Sequence, residues 1–264
     1  MLRMLDSGAV LAAQKLEGLG MKASVIVPVL YTEPQLGATL RRLTALREQL
    51  DLEIVLVVDV PDPERESETR SANRQSSEEV GAVELYRIGE RGFGSALRDG
   101  FAKAGGDVFI PFMGDACDDP EDIPRLVAEV ERGFDVVGGA RYVKEGGIVG
   151  DTAKQRISRL YSWIMRVMGG PPIHDVSNAF KAYRRAVAEA IHTEAPSFDV
   201  SVELTLKAWH QGFRLGEIPT TWTNRREGSS KFRFFREVRN YGRWLMLAAN
   251  HRVRGRRSDL RRTS

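Results

Sequence analysis

An α/β domain with a mainly parallel central sheet follows from three features of the sequence. Short runs are apolar at every position, such runs alternate with stretches of helical period, and polar clusters recur where the runs stop. Residues 23–29 (ASVIVPV) and 53–58 (EIVLVV) are too continuously apolar for strands with one wet face, so helices must cover both sides. Between them, Leu36, Leu40, Leu43, Leu46 and Leu50 repeat at helical spacing. Residues 61–79 are polar and acidic, which suits a loop and an exposed helix. Residues 83–87 form a third strand, 94–104 a helix, 107–112 a fourth strand, 121–132 a helix and 135–138 a fifth strand. This alternation builds βαβ units. Ligands in such sheets sit beyond the carboxyl ends of the strands. Asp59, the turn from Arg91 to Gly94, and the segment from Asp115 to Asp119 all fall there, on one edge.

The second half is less regular. Residues 152–168 read as an amphipathic helix, 178–183 as a short strand, 200–211 as a helix, 213–223 as a strand pair and 234–250 as a final amphipathic helix. No internal repeat or low-complexity linker divides the chain. The expected organisation is an N-terminal extension over 1–21, one folded domain over 22–231, and a basic amphipathic segment over 232–264. The 264 residues suffice for one large core, and 42% hydrophobic with 28% charged residues is an ordinary globular composition. Cys117 is the single cysteine, so no internal disulfide forms and a reducing cytoplasm is the expected setting. No apolar run reaches the roughly 20 residues of a membrane-spanning helix, and residues 1–20 lack the layout of a signal peptide.

Charge is strongly polarised. Residues 225–264 carry thirteen cations against three acids, a local +10, which leaves −7 for residues 1–224 of a chain whose net charge is +3. Such a basic pole favours phosphates in lipid headgroups, nucleic acid or nucleotides; the alternative is a solvated tail.

Three segments carry candidate chemistry. In Met113-Gly114-Asp115-Ala116-Cys117-Asp118-Asp119, three carboxylates within five residues repel one another unless a cation intervenes. Mg²⁺ or Mn²⁺, hard cations with oxygen ligands, would relieve this and bind a diphosphate. Asp119 has an alternative role as the cap of the helix that follows. In Arg91-Gly92-Phe93-Gly94-Ser95, glycines before a helix either admit a ligand's anionic group or make an ordinary tight turn. In Arg225-Arg226-Glu227-Gly228-Ser229-Ser230-Lys231, three cations surround a flexible turn suited to gripping phosphate, or simply form a solvated loop.

Taken in order, VIVPVLYTE, EIVLVVD, RGFGSALRDGFAKAGGDVFIPFMGDACDDPEDIP, GGARYVKEGG, QRISRLYSWIMR, HDVSNAFKAYRR, FDVSVELTLKAWHQGFRLGEIPTTW and RREGSSK resemble the family-two glycosyltransferases, most closely the polyprenol-phosphate branch. The resemblance spans about residues 23–231 and implies the GT-A, Rossmann-like form of the α/β fold. It also implies an inverting transfer of a hexose from a GDP- or UDP-sugar to a polyprenyl phosphate. Pro28 and Glu33 would begin the nucleotide pocket, Asp59 would lie near the base, and Arg91, Gly94 and Arg141 near the phosphates and sugar. Asp115 matches the second acid of the family's DxD metal motif, with Asp118 and Asp119 as helpers. Tyr142 follows Arg141 in the GxRY segment. Arg156 and Ser158 match a helix start linked to the acceptor phosphate. Asp175 and Asn178 match a segment near the sugar, and Arg225, Ser230 and Lys231 the closing loop. The sequence departs from the family pattern at Met113, which replaces the first DxD acid, at Val60, which replaces a second acid after Asp59, and at Ala179, where glycine is common. The segment from Pro28 to Glu33 is one residue longer than usual.

A phosphate acceptor is ionised at neutral pH, so transfer rests on positioning and on stabilising the leaving diphosphate. With a hydroxyl acceptor, Asp175 would instead serve as base. The aromatic and aliphatic residues of 232–247, interleaved with arginines, suit a helix lying in an anionic membrane surface, which implies peripheral attachment at the inner face of the cell membrane. The alternative is a helix packed on the domain, and residues 157–168 pose the same choice. Two rival activities fit less well. A sugar-phosphate nucleotidyltransferase needs a glycine-rich, lysine-bearing loop where VPVLYTEPQ stands. A nucleic-acid-binding module leaves the acidic cluster unexplained, so no nucleic-acid partner is expected.

Overall fold

The computed structural model describes residues 20–150, 153–168, 170–224 and 240–250. The chain begins β1 (Ala23–Leu30), α1 (Leu36–Ala45), β2 (Leu52–Val60), α2 (Glu66–Val80), β3 (Val83–Ile88), α3 (Phe93–Lys103), β4 (Val108–Pro111), α4 (Ile123–Glu131) and β5 (Val136–Ala140). It continues through β6 (Gly147–Val149), α5 (Ala153–Val167), β7 (Lys181–Arg184), α6 (Arg185–Ala190), α7 (Val200–His210), β8 (Leu215–Pro219) and β9 (Thr221–Thr223). Residues 240–250 are helical.

Seven strands form one sheet in the order β3-β2-β1-β4-β7-β5-β8. β1 runs parallel to β2 and β4, with Val25 opposite Ile54 on one side and Ile110 on the other. β5 and β8 are also parallel, while β7 enters between β4 and β5 antiparallel to both. The apolar runs read as doubly covered strands divide between two cores as pleating requires. Val25, Val27 and Val29 face a layer with Leu36, Leu40, Leu126 and Val130. Ile26 joins Leu97, Val202 and Leu206 on the opposite face.

One local expectation changes. The strand pair expected over 213–223 appears as β8 and β9, but they do not pair with each other: only Thr220 separates them, which is too short for a turn. The extended chain passes from the large sheet into a two-stranded parallel sheet with β6. Neither β6 nor the single-turn-scale α6 carried enough periodicity to be read from sequence. Finally, residues 240–250 pack on the body of the domain. Trp244 and Ala248 are buried, Trp244 Nε1 donates to Asp199 Oδ2 at 2.9 Å, and Tyr241 meets Tyr161 edge-on at 5.0 Å. The rest of the expected C-terminal segment, and residues 1–19 of the N-terminal extension, lie outside the described residues.

Candidate active site

The acidic loop leaves β4 and is held from two sides. Thr39 Oγ1 donates to the Gly114 carbonyl at 3.2 Å, and Asp115 Oδ1 accepts the Cys117 N–H at 3.2 Å across a turn in which Ala116 takes a left-handed φ of 56°. On the far side, Asp118 forms an antiparallel bridge with Trp222, and the Thr223 N–H donates to the Cys117 carbonyl at 2.8 Å. The chain therefore runs from the acidic loop's edge through Asn224 into the RREGSSK segment. Arg225, Ser230 and Lys231 themselves lie outside the described residues.

The three acids have different environments. Asp119 is engaged in local structure: its Oδ1 accepts the Glu121 N–H at 3.2 Å, capping a short 3₁₀ turn, and meets Arg42 Nη2 at 2.7 Å. The capping alternative thus describes the geometry of its Oδ1. Asp115 is half-buried. Asp118 is 5% exposed, and its Oδ1 has no hydrogen-bond partner among the described residues. Burial drives the Asp118 carboxyl up to about 7. Arg141 opposes the shift, while Asp115, Asp175 and Asp122 reinforce it. A buried carboxylate oxygen without a donor is costly unless a cation satisfies it. Asp115 and Asp118 therefore fit a hard divalent ion. No group of three metal-ligating side chains occurs among the described residues, so diphosphate oxygens and water would complete the ligand shell.

Arg141, just past β5, is 8% exposed in its side chain and forks onto fully buried Asp175, with Nε at 2.7 Å and Nη2 at 3.0 Å. Asp175 also accepts the N–H groups of Arg141 and Asn178, both at 3.2 Å, and the Ser177 hydroxyl at 3.1 Å. Burial pushes Asp175 up, but Arg141's charge and hydrogen bonds outweigh it and hold the carboxyl below its ordinary value. Beside this pair runs a chain of hydroxyls: Tyr142 Oη donates to Ser158 Oγ at 2.9 Å, and Ser158 lies 2.6 Å from Ser177. Ser158 is half-buried on α5, whereas Arg156 is exposed. Gln155, Ser177, Lys181 and Glu217 were not read as site residues from sequence. The spacing of Gln155 and Ser158, one turn apart on a predicted helix, was the signal available for the first.

At the end of β2, Asp59 is buried and both oxygens are taken, Oδ1 by Arg87 at 2.6 Å and Oδ2 by the Gly92 N–H at 2.7 Å. Burial raises its pKa against these partners. Arg87 Nη2 donates in turn to Ser95 Oγ at 2.7 Å. The glycine turn admits the protein's own backbone rather than a ligand's anionic group. Gly94 N–H donates to the Pro196 carbonyl at 3.1 Å, and a Cβ on Gly94 would lie 2.0 Å from the Ala195 carbonyl oxygen. Gly94→Ala is therefore expected to destabilise the domain by about 3 kcal/mol or more, since the clash is with backbone that has nowhere to move. Urea unfolding checks this, and a midpoint equal to wild type would contradict it. Arg91 is exposed beside this turn. Pro28 sits inside β1 opposite Val57, and Glu33 is half-buried between β1 and α1. The longer segment between them contains Tyr31 at a left-handed φ of 62°, its carbonyl held by Asn73 at 2.7 Å and its ring 4.3 Å beneath the Arg65 guanidinium.

The chain is similar to known proteins over most of its length. The sequence profile of Glycosyl transferase family 2 matches residues 24–191. The chain is 28% identical over 233 residues to a dolichol-phosphate mannosyltransferase of Pyrococcus furiosus, covering 85% of this chain and 64% of the relative. It is 32% identical over 221 residues to an undecaprenyl-phosphate 4-deoxy-4-formamido-L-arabinose transferase of an Enterobacter species, covering 82% and 64%. The chain thus spans 64% of the length of each of these relatives. Among solved structures, glucosyl-3-phosphoglycerate synthase of Mycobacterium tuberculosis, in complex with Mn²⁺, UDP and glucosyl-3-phosphoglycerate, superimposes with a TM-score of 0.60 at 17% identity over 94% of this chain and 84% of that one. The same enzyme with Mg²⁺ and UDP gives 0.63 at 16% identity over 94% and 85%. At that identity the likeness bears on the fold, and the fold is GT-A. The chain belongs to glycosyl transferase family 2.

Proposed function

We propose that this protein transfers a hexose, with inversion, from a nucleotide diphosphate sugar to a polyprenyl phosphate. The observation that carries this reading is the buried, donorless oxygen of Asp118 in an acidic loop whose edge leads directly into the cation-bearing segment. In this reading Asp115 and Asp118 hold Mg²⁺ or Mn²⁺, which neutralises charge on the leaving diphosphate. Asp119 is left as a cap. Arg225, Ser230 and Lys231 supply donors to the phosphates. Pro28, Glu33, Asp59 and Arg91 border the nucleotide at the strand ends, and Asp59 acts by fixing Arg87 and the Gly92 turn. Arg141, fixed by Asp175, and the Tyr142–Ser158–Ser177 hydroxyls form the wall facing the sugar and the acceptor phosphate, with Arg156 at its rim.

The state of Asp175 favours a phosphate acceptor over a hydroxyl. A general base needs a free lone pair and a pKa raised toward neutrality. Asp175 is shielded by the Arg141 guanidinium and N–H, the Asn178 N–H and the Ser177 hydroxyl, and it is held in the opposite direction. A phosphate brings its own negative oxygen and requires no such base. Both relatives carry a polyprenol phosphate in their names, which supports the same acceptor.

A lipid acceptor implies contact with an anionic membrane surface. No helix among the described residues is long and apolar enough to cross a membrane. On α5, Leu160 and Trp163 are 55% and 62% exposed, and Met246 on the neighbouring helix is 64% exposed. The exposed residues Arg156, Arg159 and Arg166 interleave with that stripe, a pattern suited to peripheral binding at headgroup level. Incubation with GDP- or UDP-sugar and polyprenyl phosphate in anionic vesicles is expected to yield a lipid-linked sugar. Replacing Leu160, Trp163 and Met246 together by Gln should cut vesicle co-sedimentation by about 10-fold or more. Undiminished co-sedimentation would reject the surface contact, and failure to form product with either donor would reject the transfer.

A further inference from the structure

We propose that Lys181 is a positioning residue that acts from beneath the site, knitting together the turn that aims Arg141. The claim rests on the reading that Arg141 and Asp175 serve the transfer. Lys181 opens β7 and is completely buried. Its aliphatic stem lies along Gly138 of β5, with Cε 3.6 Å from where a Cβ would stand. Its ammonium donates to the Val176 carbonyl at 3.0 Å and to the Asn178 carbonyl. Those two carbonyls flank Ser177, whose hydroxyl faces Arg141, and the first of them directly follows Asp175, the carboxylate gripping Arg141.

The same turn is clamped from its other side. Glu217 of β8 accepts the His174 N–H at 2.7 Å and the Asp175 N–H at 2.9 Å through Oε1, while its Oε2 lies 2.9 Å from His174 Nδ1. Asn178 Nδ2 donates to the Gly139 carbonyl at 2.8 Å, tying the turn to β5. A buried ammonium on one side and a carboxylate on the other thus fix a five-residue turn by its own carbonyls and N–H groups. Burying an ammonium is costly unless charge compensates it. Asp175, Glu217 and Asp118 all favour the Lys181 cation, against Arg141, and burial still lowers its pKa to about 8. A neutral side chain would fill this space at less cost if the site needed only packing. Polar anchoring of the turn is what an ammonium adds. Catalytic geometry tolerates displacements well below 1 Å, so a relaxed turn mis-aims the Arg141 fork without closing the site.

The test is a double-mutant cycle in the transfer assay. Lys181→Met should lower kcat by about 10-fold or more and leave donor KM within about 3-fold, because Lys181 touches no substrate. Arg141→Lys keeps the charge and removes the fork. In that background Lys181→Met should cost less than about 2-fold, because its effect runs through the fork already lost. Lys181→Gln, which retains a neutral NH₂ donor group for the two carbonyls but loses the charge, should fall between wild type and Lys181→Met. Equal fold losses in both backgrounds, or a loss confined to donor KM, would overturn the proposal. So would failure of both Lys181 variants to fold, since the lysine would then be a requirement of the core. Absence of transfer by the wild type would instead count against the functional reading beneath it.

Discussion

Asp118→Asn is expected to abolish transfer and, in the absence of metal, to raise the melting temperature at pH 8. The carboxyl is buried, lacks a donor for one oxygen, and is held up at about 7. In the unfolded chain it titrates at its ordinary value near 4. Below that value both states bind the proton, and the protonated group carries no penalty. As pH rises from about 4 through about 7, the unfolded chain releases the proton first, so this group's contribution to stability is progressively lost. Above 7 the fold holds an ionised, poorly compensated carboxylate. A shift of about three units corresponds to roughly 4 kcal/mol as an upper bound. Asn has nearly the same shape and no charge, and relieving even half of that should raise the melting temperature by about 4 °C or more in a chain of this size. The gain should be smaller at pH 5, where the native carboxyl is still protonated and only the release of the proton by the unfolded chain has begun to cost stability. Scanning fluorimetry at the two pH values checks this, and an equal or negative shift at pH 8 would show that the carboxylate is satisfied within the protein. Stability gained together with activity lost is the signature of a site that waits for a ligand.

Asp175→Asn is expected to do the opposite to stability while also destroying activity. Here the carboxylate is the partner, and its removal strands the Arg141 guanidinium in a buried site. Breaking one side of a buried ion pair costs about 3–5 kcal/mol, which should lower the melting temperature by roughly 10 °C. Because Asp175 is held below its ordinary pKa, its stabilisation is present above about 4 and is lost only as the pH falls further. Wild type and variant should therefore converge under acid. The contrast between two buried aspartates of the same site, one whose neutralisation stabilises and one whose neutralisation destabilises, separates a ligand-binding carboxylate from an internal brace. Thermal melts of both variants at pH 8 with equal signs would erase that distinction.

Much of the sheet was legible because strands covered on both faces must be apolar at every position, and nothing else writes ASVIVPV or EIVLVV so plainly. The carboxyl-end rule then located Asp59, the Gly92 turn and the acidic loop on one edge. Sequence was silent on what each polar group would touch. Asp59 and Asp175 read as ligand contacts, yet both are surrounded by the protein's own donors, because Arg87 and Arg141 arrive from strands distant in sequence. The glycines at 92 and 94 promised a close approach, and the approaching group is the backbone of Ala195 and Pro196, about a hundred residues away. Lys181 hid for a related reason: a lysine within the short strand expected over 178–183 gives no sign of burial in the sequence, and only the antiparallel insertion of β7 between β4 and β5 buries it. Residues 240–250 carry both an inward face at Trp244 and Ala248 and an outward one at Met246. Sequence periodicity alone therefore left packing and membrane contact in balance.

Calorimetric titration of UDP and GDP, with and without Mn²⁺ at pH 7.5, tests the central claim most directly. The account predicts that one nucleoside diphosphate binds only with the metal present, and that Asp115→Asn and Asp118→Asn each weaken that binding by about 30-fold or more. Nucleotide binding of equal strength without metal, or unaltered by either substitution, would contradict it.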